Sequence, residues 1–228
     1  MRQLMIRTGE MLRDRRFLKK ALMIACPVAL QGMLNTVVNM VDTLMIGGLG
    51  SSAIAAVGLA NKYFFVFSLL VFGIVSGAGI LAAQYWGNGD VKSIRKVLGL
   101  SILLAAAGAL VFVLPGLIWP HQVMRIFTTS ESSIELGIKY LRIAVLTYPF
   151  IAMTNVYVAM LRAVNKVVYP VVCSCIAIAI NVVLNYVLIF GKFGAPQMGV
   201  AGAACATLIA RCIEVSLVLL YVYGKKLP

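Results

Sequence analysis

Long apolar runs, separated by short polar breaks, account for almost the whole chain. Each run holds about 20 residues or more, which is enough for an α-helix to cross the hydrocarbon core of a bilayer. The breaks are rich in Gly, Pro, Asn and charged residues, which end helices and favour turns. The pattern therefore predicts six membrane-spanning helices, over residues 21–46, 53–86, 94–119, 134–161, 167–190 and 200–223.

Composition indicates the same fold class. Hydrophobic residues make up 62% of the chain, charged residues only 12%, and the mean hydropathy is +0.99, whereas soluble domains are about half apolar. We therefore expect an all-α integral membrane protein. One six-helix transmembrane unit, residues 21–224, is expected to follow a basic N-terminal segment, residues 1–20.

The positions of the basic residues predict the topology. The net charge is +13, yet the chain has no nucleic-acid motif and no aromatic residues interleaved with the basic ones, so nucleic acid is not an expected partner. Most Lys and Arg residues lie near the two termini and in the connections after the second and fourth spans. Because cytoplasmic segments carry the excess of basic residues, we expect a multi-pass protein of the plasma membrane with both termini in the cytoplasm.

A stripe of polar residues runs along the first predicted span. One face of that helix carries four of them, Gln31, Asn35, Asn39 and Asp42. Because facing lipid would cost several kcal/mol, this face is expected to line a water-filled cavity or to contact other helices. Amides in membrane helices often only hydrogen-bond neighbouring helices, which is the favoured role for Asn35 and Asn39. That role needs no ionisable group, so Asp42 indicates a path for ions or protons.

The fifth and sixth spans carry polar residues at a matching depth. Asn181 and Asn185 share one face of the fifth span with Ser174, whose favoured role is a hydrogen bond to another helix. Counted from the outer ends of their helices, Asp42 and Asn185 lie about 9 Å deep and Thr207 about 12 Å deep, at 1.5 Å per residue. The sequence therefore predicts one site, made of Asp42, Asn181, Asn185 and Thr207.

The sequence offers no set of residues suited to enzymatic catalysis or to binding a cofactor. The chain has one histidine, His121, and its five cysteines lie inside apolar runs without the spacing of a zinc site. No phosphate-binding loop is present. We therefore expect neither an enzyme nor a cofactor, and any coupling would be to an ion gradient. Arg211 and Glu214, three residues apart in the sixth span, are expected to form a structural ion pair.

Four segments carry a resemblance to a known family. They are VDTLMIGGLGSSAIAAVGLA, AAQYWGNGD, LRAVNK followed by YP, and INVVLNYVLIFGKFGAPQMGVAGAACATLIAR. In this order and spacing they resemble the N-terminal half of multidrug and toxic compound extrusion (MATE) transporters of the MOP superfamily, from about residue 17 to residue 226. The resemblance implies one six-helix lobe of a twelve-helix transporter, whose two lobes form a V that alternates between outward-open and inward-open states.

The resemblance also implies a function. Family members export amphipathic, often cationic, compounds in exchange for protons or sodium ions. Asp42 matches the carboxylate that binds the coupling cation. Asn181, Asn185 and Thr207 match positions in the same cavity, and sodium would be held at Asp42, Asn181 and Asn185. Some members have a second carboxylate where Asn185 stands. Its absence here leaves the coupling ion open between proton and sodium. Pro27 matches a proline associated with bending of the first helix.

The expected function is therefore secondary active export, with the lipid bilayer and small cationic or amphipathic substrates as partners. A second six-helix lobe or a homodimer is expected to complete the transporter, and residues 225–228 would begin the cytoplasmic linker between lobes. The chain would then be a fragment, a single-lobe reading frame or a half-transporter. One alternative is an isolated lobe that transports nothing and acts as an assembly partner or is inert. A less favoured alternative is a lipid-linked saccharide flippase, whose cavity would carry basic residues for an anionic diphosphate.

Overall fold

The computed structural model describes residues 15–225, except for several side chains of the first helix, among them Pro27 and Asn35. Most of the predicted basic segment, residues 1–20, and of the predicted linker, residues 225–228, lies outside that description. The described part consists of helices and the turns between them. The helices are α1 (Arg15–Gly47), α2 (Ser51–Gly87), α3 (Val91–Ile118), α4 (Pro120–Arg125), α5 (Glu131–Ala144), α6 (Tyr148–Ala163), α7 (Val168–Phe190) and α8 (Val200–Gly224).

Within the described residues, five helical segments are long and apolar enough to cross a membrane. They are α2, α3, α7, α8 and the continuous stretch from Glu131 to Ala163. The first predicted span, residues 21–46, lies inside α1. The described residues are thus all-α, with the long apolar helices of an integral membrane protein.

The fourth predicted span, residues 134–161, is not one regular helix. A 3₁₀ turn, Val145–Thr147, separates α5 from α6. Pro149 lacks the N–H group that would bond to the carbonyl of Val145 in a continuous α-helix. The N–H of Tyr148 bonds to that carbonyl instead, in the tighter 3₁₀ pattern. Val145 and Thr147 of this turn are buried, whereas Leu146 is exposed, and Thr147 lies on the wall of the cavity described below.

The connection after the third span contains a short helix, where the sequence pattern predicts a loop. α3 ends at Ile118, Trp119 follows, and α4 begins at Pro120. Proline is well suited to the first turn of a helix, where its missing N–H would have no intrahelical partner. Val123 and Met124 of α4 are buried in the main apolar cluster, so this turn is fixed by packing.

Two packing regions hold the site in place. In the larger one, the ring of Phe67 on α2 stacks on Tyr148 of α6, with centroids 4.4 Å apart. In the other, α7 and α8 pack closely at Gly202, where an added Cβ would lie 2.6 Å from the backbone oxygen of Leu188. These contacts place α2, α6, α7 and α8 around a common space, and α1 lies against α7 on one side of it.

Candidate functional site

A cavity of about 410 Å³ opens between α1, α2, the α5–α6 junction, α7 and α8. Its wall combines aromatic rings with polar side chains, which is the usual character of a small-molecule site. The aromatic and polar residues of the wall that matter below are Asn39, Asp42, Asn61, Phe64, Phe65, Ser68, Tyr140, Tyr148, Asn181, Asn185, Thr207 and Arg211.

The four residues predicted to form one site lie on this wall and are joined by hydrogen bonds. Asn185 Nδ2 donates to Asp42 Oδ1 over 2.6 Å and to Asn181 Oδ1 over 3.3 Å. Asn181 Nδ2 donates to Thr207 Oγ1 over 3.4 Å, and Thr207 Oγ1 donates to the backbone oxygen of Ala203 over 3.0 Å. A continuous chain of hydrogen bonds therefore runs from α1 through α7 to α8.

Local helix geometry explains how α7 and α8 contribute to this chain. Asn181 and Asn185 are four residues apart, so their side chains lie one above the other on the same face of α7. Thr207 bonds to the carbonyl four residues before it, a common arrangement for Thr in helices. Asp42 is brought to them by the packing of α1 on α7, which no local pattern specifies.

The site is rich in oxygen atoms, and one of them is unpaired. Asn185 is 1% exposed and Asn181 is 7% exposed. Asn185 Oδ1 is buried and has no hydrogen-bond partner among the described residues. Because a buried oxygen without a partner carries a desolvation cost, this atom is suited to receive a proton donor or a cation.

The donor set favours a hard cation or a proton over a transition metal. Carboxylate, amide and hydroxyl oxygens bind hard cations, whereas transition metals favour imidazole and thiolate. Among the described residues, no group of three or more His, Cys, Asp or Glu side chains could hold a metal ion. The chemistry available here is therefore reversible binding of a small, hard cation by one carboxylate and neutral oxygens.

The polar residues predicted to form one stripe on α1 have two different surroundings. Asn39 lines the cavity beside Asp42. Gln31 does not, since it is buried against Ser174 and donates a hydrogen bond to Ser174 Oγ over 2.7 Å. A stripe that spans eleven residues is about 16 Å long, which is long enough to reach different neighbours at its two ends. The side chains of Asn35 and Pro27 lie outside the description.

The contribution of α2 to the cavity was not predicted from the sequence. Asn61, Phe64, Phe65 and Ser68 line the cavity opposite Asp42's helix. Their spacing of three, four and seven residues marks one helical face, so the signal was present. It was weak because the remainder of α2 is also apolar and a buried or lipid-facing aromatic gives the same pattern.

Arg211 was predicted to be a structural partner of Glu214, and it also lines the cavity. Its NH1 donates to Glu214 Oε2 over 2.6 Å. The guanidinium is therefore paired with a carboxylate, so the two groups together add no net charge to this end of the cavity.

Comparison with known proteins identifies the family. The profile of the family described as MatE matches residues 27–187, well over half of the chain. The chain belongs to the MatE family. This is the family that its sequence motifs resemble.

Named relatives of this MatE chain are multidrug resistance proteins. It is 31% identical over 210 residues to the probable multidrug resistance protein NorM of Thermotoga maritima, covering 91% of this chain and 45% of that protein. It is 29% identical over 203 residues to the probable multidrug resistance protein YoeA of Bacillus subtilis, covering 89% of this chain and 44% of that protein. The chain thus spans about half the length of the curated relatives it matches.

Solved structures show the same fold. An outward-facing multidrug resistance MATE family transporter of the MOP superfamily superposes with a TM-score of 0.83 at 23% identity, covering 91% of this chain and 45% of that one. A MOP superfamily transporter from Pyrococcus furiosus gives a TM-score of 0.82 at 23% identity, with the same coverage. The MatE chain therefore has the fold of one lobe, about half of such a transporter.

Proposed function

We propose that this chain is the N-terminal lobe of a secondary active transporter that exports amphipathic or cationic compounds in exchange for protons or sodium ions. The observation that carries the proposal is the hydrogen-bonded chain from Asp42 to Thr207 on the wall of an aromatic-lined cavity. The names of its relatives, which are multidrug resistance proteins, support the export of drugs.

In this proposal Asp42 is the coupling residue. A carboxylate inside the membrane region is costly unless a partner neutralises it, and here its partner is the neutral amide of Asn185. A coupling ion, which is cargo rather than a resident cofactor, would supply the missing positive charge. The unpaired oxygen of Asn185, with Asn181 and Thr207 beside it, would complete the oxygen shell of a sodium ion.

The rest of the wall suits a cationic amphipath. Phe64, Phe65, Tyr140 and Tyr148 offer aromatic faces, which attract cations as well as apolar groups. A cationic compound in this cavity would compete with the coupling ion for Asp42. Such competition makes occupation by one favour release of the other. An alternating mechanism would follow if the cation and the cationic compound each favoured a different conformation of α1.

The lipid-linked saccharide alternative receives no support from the cavity. An anionic diphosphate calls for unpaired basic residues. Arg211 is the only basic side chain among the described residues of the wall, and Glu214 neutralises it.

The remaining parts of the proposal concern the whole transporter. A second six-helix lobe, or a second copy of this chain, would close the cavity from the other side. Both termini would lie in the cytoplasm, and the six predicted spans would cross the plasma membrane in alternating directions.

The decisive experiment compares two Asp→Asn variants. Asp42→Asn removes the carboxylate from the cavity while keeping its size. Asp90→Asn is the matched control, because Asp90 caps the exposed start of α3 through Ser93, and Asn is an equally good cap. Both variants and the wild type would be tested for sodium and proton binding by calorimetry at several pH values. Efflux of a fluorescent cationic dye would be followed in cells with the proton and sodium gradients collapsed in turn.

We expect Asp42→Asn to abolish cation binding and gradient-driven efflux, while Asp90→Asn matches the wild type. If Asp42→Asn bound the cation and exported dye at the normal rate, Asp42 would not be the coupling residue. Cation binding without dye efflux from the chain alone would favour the alternative of an isolated lobe that transports nothing by itself and acts as an assembly partner. Co-expression of a second lobe would then restore efflux.

A further inference from the structure

A second buried polar network lies next to the cavity and takes no part in the proposed cation site. Its centre is Glu214 on α8, which is 3% exposed. Glu214 Oε1 accepts a hydrogen bond from Ser174 Oγ over 2.6 Å, and Oε2 accepts one from Arg211 NH1 over 2.6 Å. Each carboxylate oxygen of Glu214 therefore accepts a hydrogen bond, as buried polar atoms require.

The network continues from Ser174 to α1. Ser174 Oγ accepts a hydrogen bond from Gln31 Nε2 over 2.7 Å. Gln31 Oε1 in turn accepts one from Arg162 NH2, at the end of α6, over 3.4 Å. From Arg162 to Glu214 each donor points toward Glu214. The carboxylate, which can only accept, therefore sets the donor-to-acceptor direction of this series of hydrogen bonds. Four helices, α1, α6, α7 and α8, meet in this network.

The network includes one of the few described side chains of α1 that are buried. Among the described side chains of α1, only Gln31 and Ile46 are buried. Ile46 packs near the C-terminal end in an apolar cluster with Ile189 and Ala203. The two anchors are fifteen residues apart, or about 22 Å along the helix. Gln31, near the middle of α1, is therefore the described buried side chain nearest the N-terminal half, and it is attached by hydrogen bonds.

We propose that Glu214 is a positioning residue that holds the N-terminal half of α1 against α7 and α8, through Ser174 and Gln31. Arg211 fixes Glu214 and also lines the cavity, so the network joins the cavity wall to α1. The effect of the network on transport rests on the proposed function, whereas its effect on the position of α1 does not.

The test measures the position of α1 directly. Cys26 is exposed on α1, five residues before Gln31, and Leu220 is 70% exposed on α8. In the full chain, with the other four cysteines changed to Ala, spin labels at Cys26 and at Leu220→Cys would report the distance between the two helices. Ser174→Ala removes the hydroxyl that links Gln31 to Glu214 and leaves the Arg211–Glu214 pair in place. We expect a broader distance distribution, with a new population at longer distance.

Two variants serve as controls. Ser174→Thr keeps the hydroxyl and is expected to keep the narrow distribution of the wild type. Ser216→Ala removes a hydroxyl from α8 that bonds only to the backbone oxygen of Cys212, and it is also expected to match the wild type. Gln31→Met removes both hydrogen bonds of the Gln31 side chain at similar volume, so it tests the same link if Ser174→Ala does not fold. A wild-type distribution in Ser174→Ala or, failing its folding, in Gln31→Met would overturn the proposal.

Cation binding separates this proposal from the preceding one. The network is distinct from the hydrogen-bonded chain at Asp42, so Ser174→Ala leaves the cation site complete and should lower cation affinity much less than Asp42→Asn does. It should nevertheless lower the rate of dye efflux. A loss of cation affinity as large as that of Asp42→Asn would overturn the proposal, because Ser174 would then belong to the cation site. If Asp42→Asn itself had no effect, the proposed function would fail and the distance measurement would still decide the role of Glu214.

Discussion

At the scale of single residues, Asp42 and Asn185 show how a polar residue in an apolar run becomes informative. A membrane helix has few reasons to carry a carboxylate, so Asp42 stands out from its apolar neighbours in the sequence alone. Counting residues from the helix ends places Asn185 at the same depth. The fold brings the two side chains, 143 positions apart in sequence, within 2.6 Å of each other.

Replacement of Asn185 tests the amide part of the site. Asn185→Ala removes the hydrogen bond to Asp42 and the unpaired oxygen together. Because the amide oxygen is a proposed sodium ligand, and an interaction with a charged group contributes about 1.5 to 3 kcal/mol, we expect sodium affinity to fall by about tenfold or more. The affinity would be measured by calorimetry on the purified chain.

The matched control is Asn61→Ala, on the opposite wall of the cavity. Asn61 lines the cavity but has no hydrogen bond to another described residue, so this variant should keep the wild-type affinity. Equal affinity in Asn185→Ala and the wild type would show that the amide of Asn185 does not hold the cation.

At the scale of the helices, close contact between α7 and α8 fixes the geometry of the site. Asn181 and Asn185 lie on one of these helices and Thr207 on the other. The small residue Gly202 lets the backbones approach, since an added Cβ would meet the backbone of Leu188 and Ile189. Small residues have this function in many membrane helix pairs.

Substitution of Gly202 should therefore destabilise the lobe. In Gly202→Ala the new methyl group would lie 2.6 Å from the Leu188 oxygen, and backbone cannot move aside as a flexible side chain can. Overpacking costs about 1 to 3 kcal/mol, so we expect a lower thermal unfolding midpoint in detergent. Gly77→Ala is the control, because a Cβ there meets nothing within 4 Å. Equal midpoints for the two variants would contradict close packing at Gly202.

At the scale of the whole molecule, the distribution of charge predicts orientation in the membrane. The chain has the fold of one lobe, and its basic residues lie mostly on the side to which both termini are assigned. Lys92, at the start of α3, is predicted to lie on that side, whereas Phe193, in the connection between α7 and α8, is predicted to lie on the other.

Cysteine labelling in intact cells would measure this orientation. In a background without native cysteines, Phe193→Cys should react with a membrane-impermeant maleimide added outside, since Phe193 is 90% exposed. Lys92→Cys should react only after the membrane is permeabilised. The reverse result would show that the termini lie outside the cell.

The sequence by itself determined the class of protein, the approximate positions of its long apolar helices, and the four polar residues of the candidate site. These follow from local properties: hydropathy over about 20 residues, the 3.6-residue period and depth along a helix. Tertiary structure decided the rest. It places Gln31 in the network of Glu214 rather than in the cavity, puts Arg211 on the cavity wall and brings α2 to face Asp42. The physical reason is that apolar positions on a membrane helix look alike whether they contact lipid, another helix or a cavity, so only packing distinguishes them.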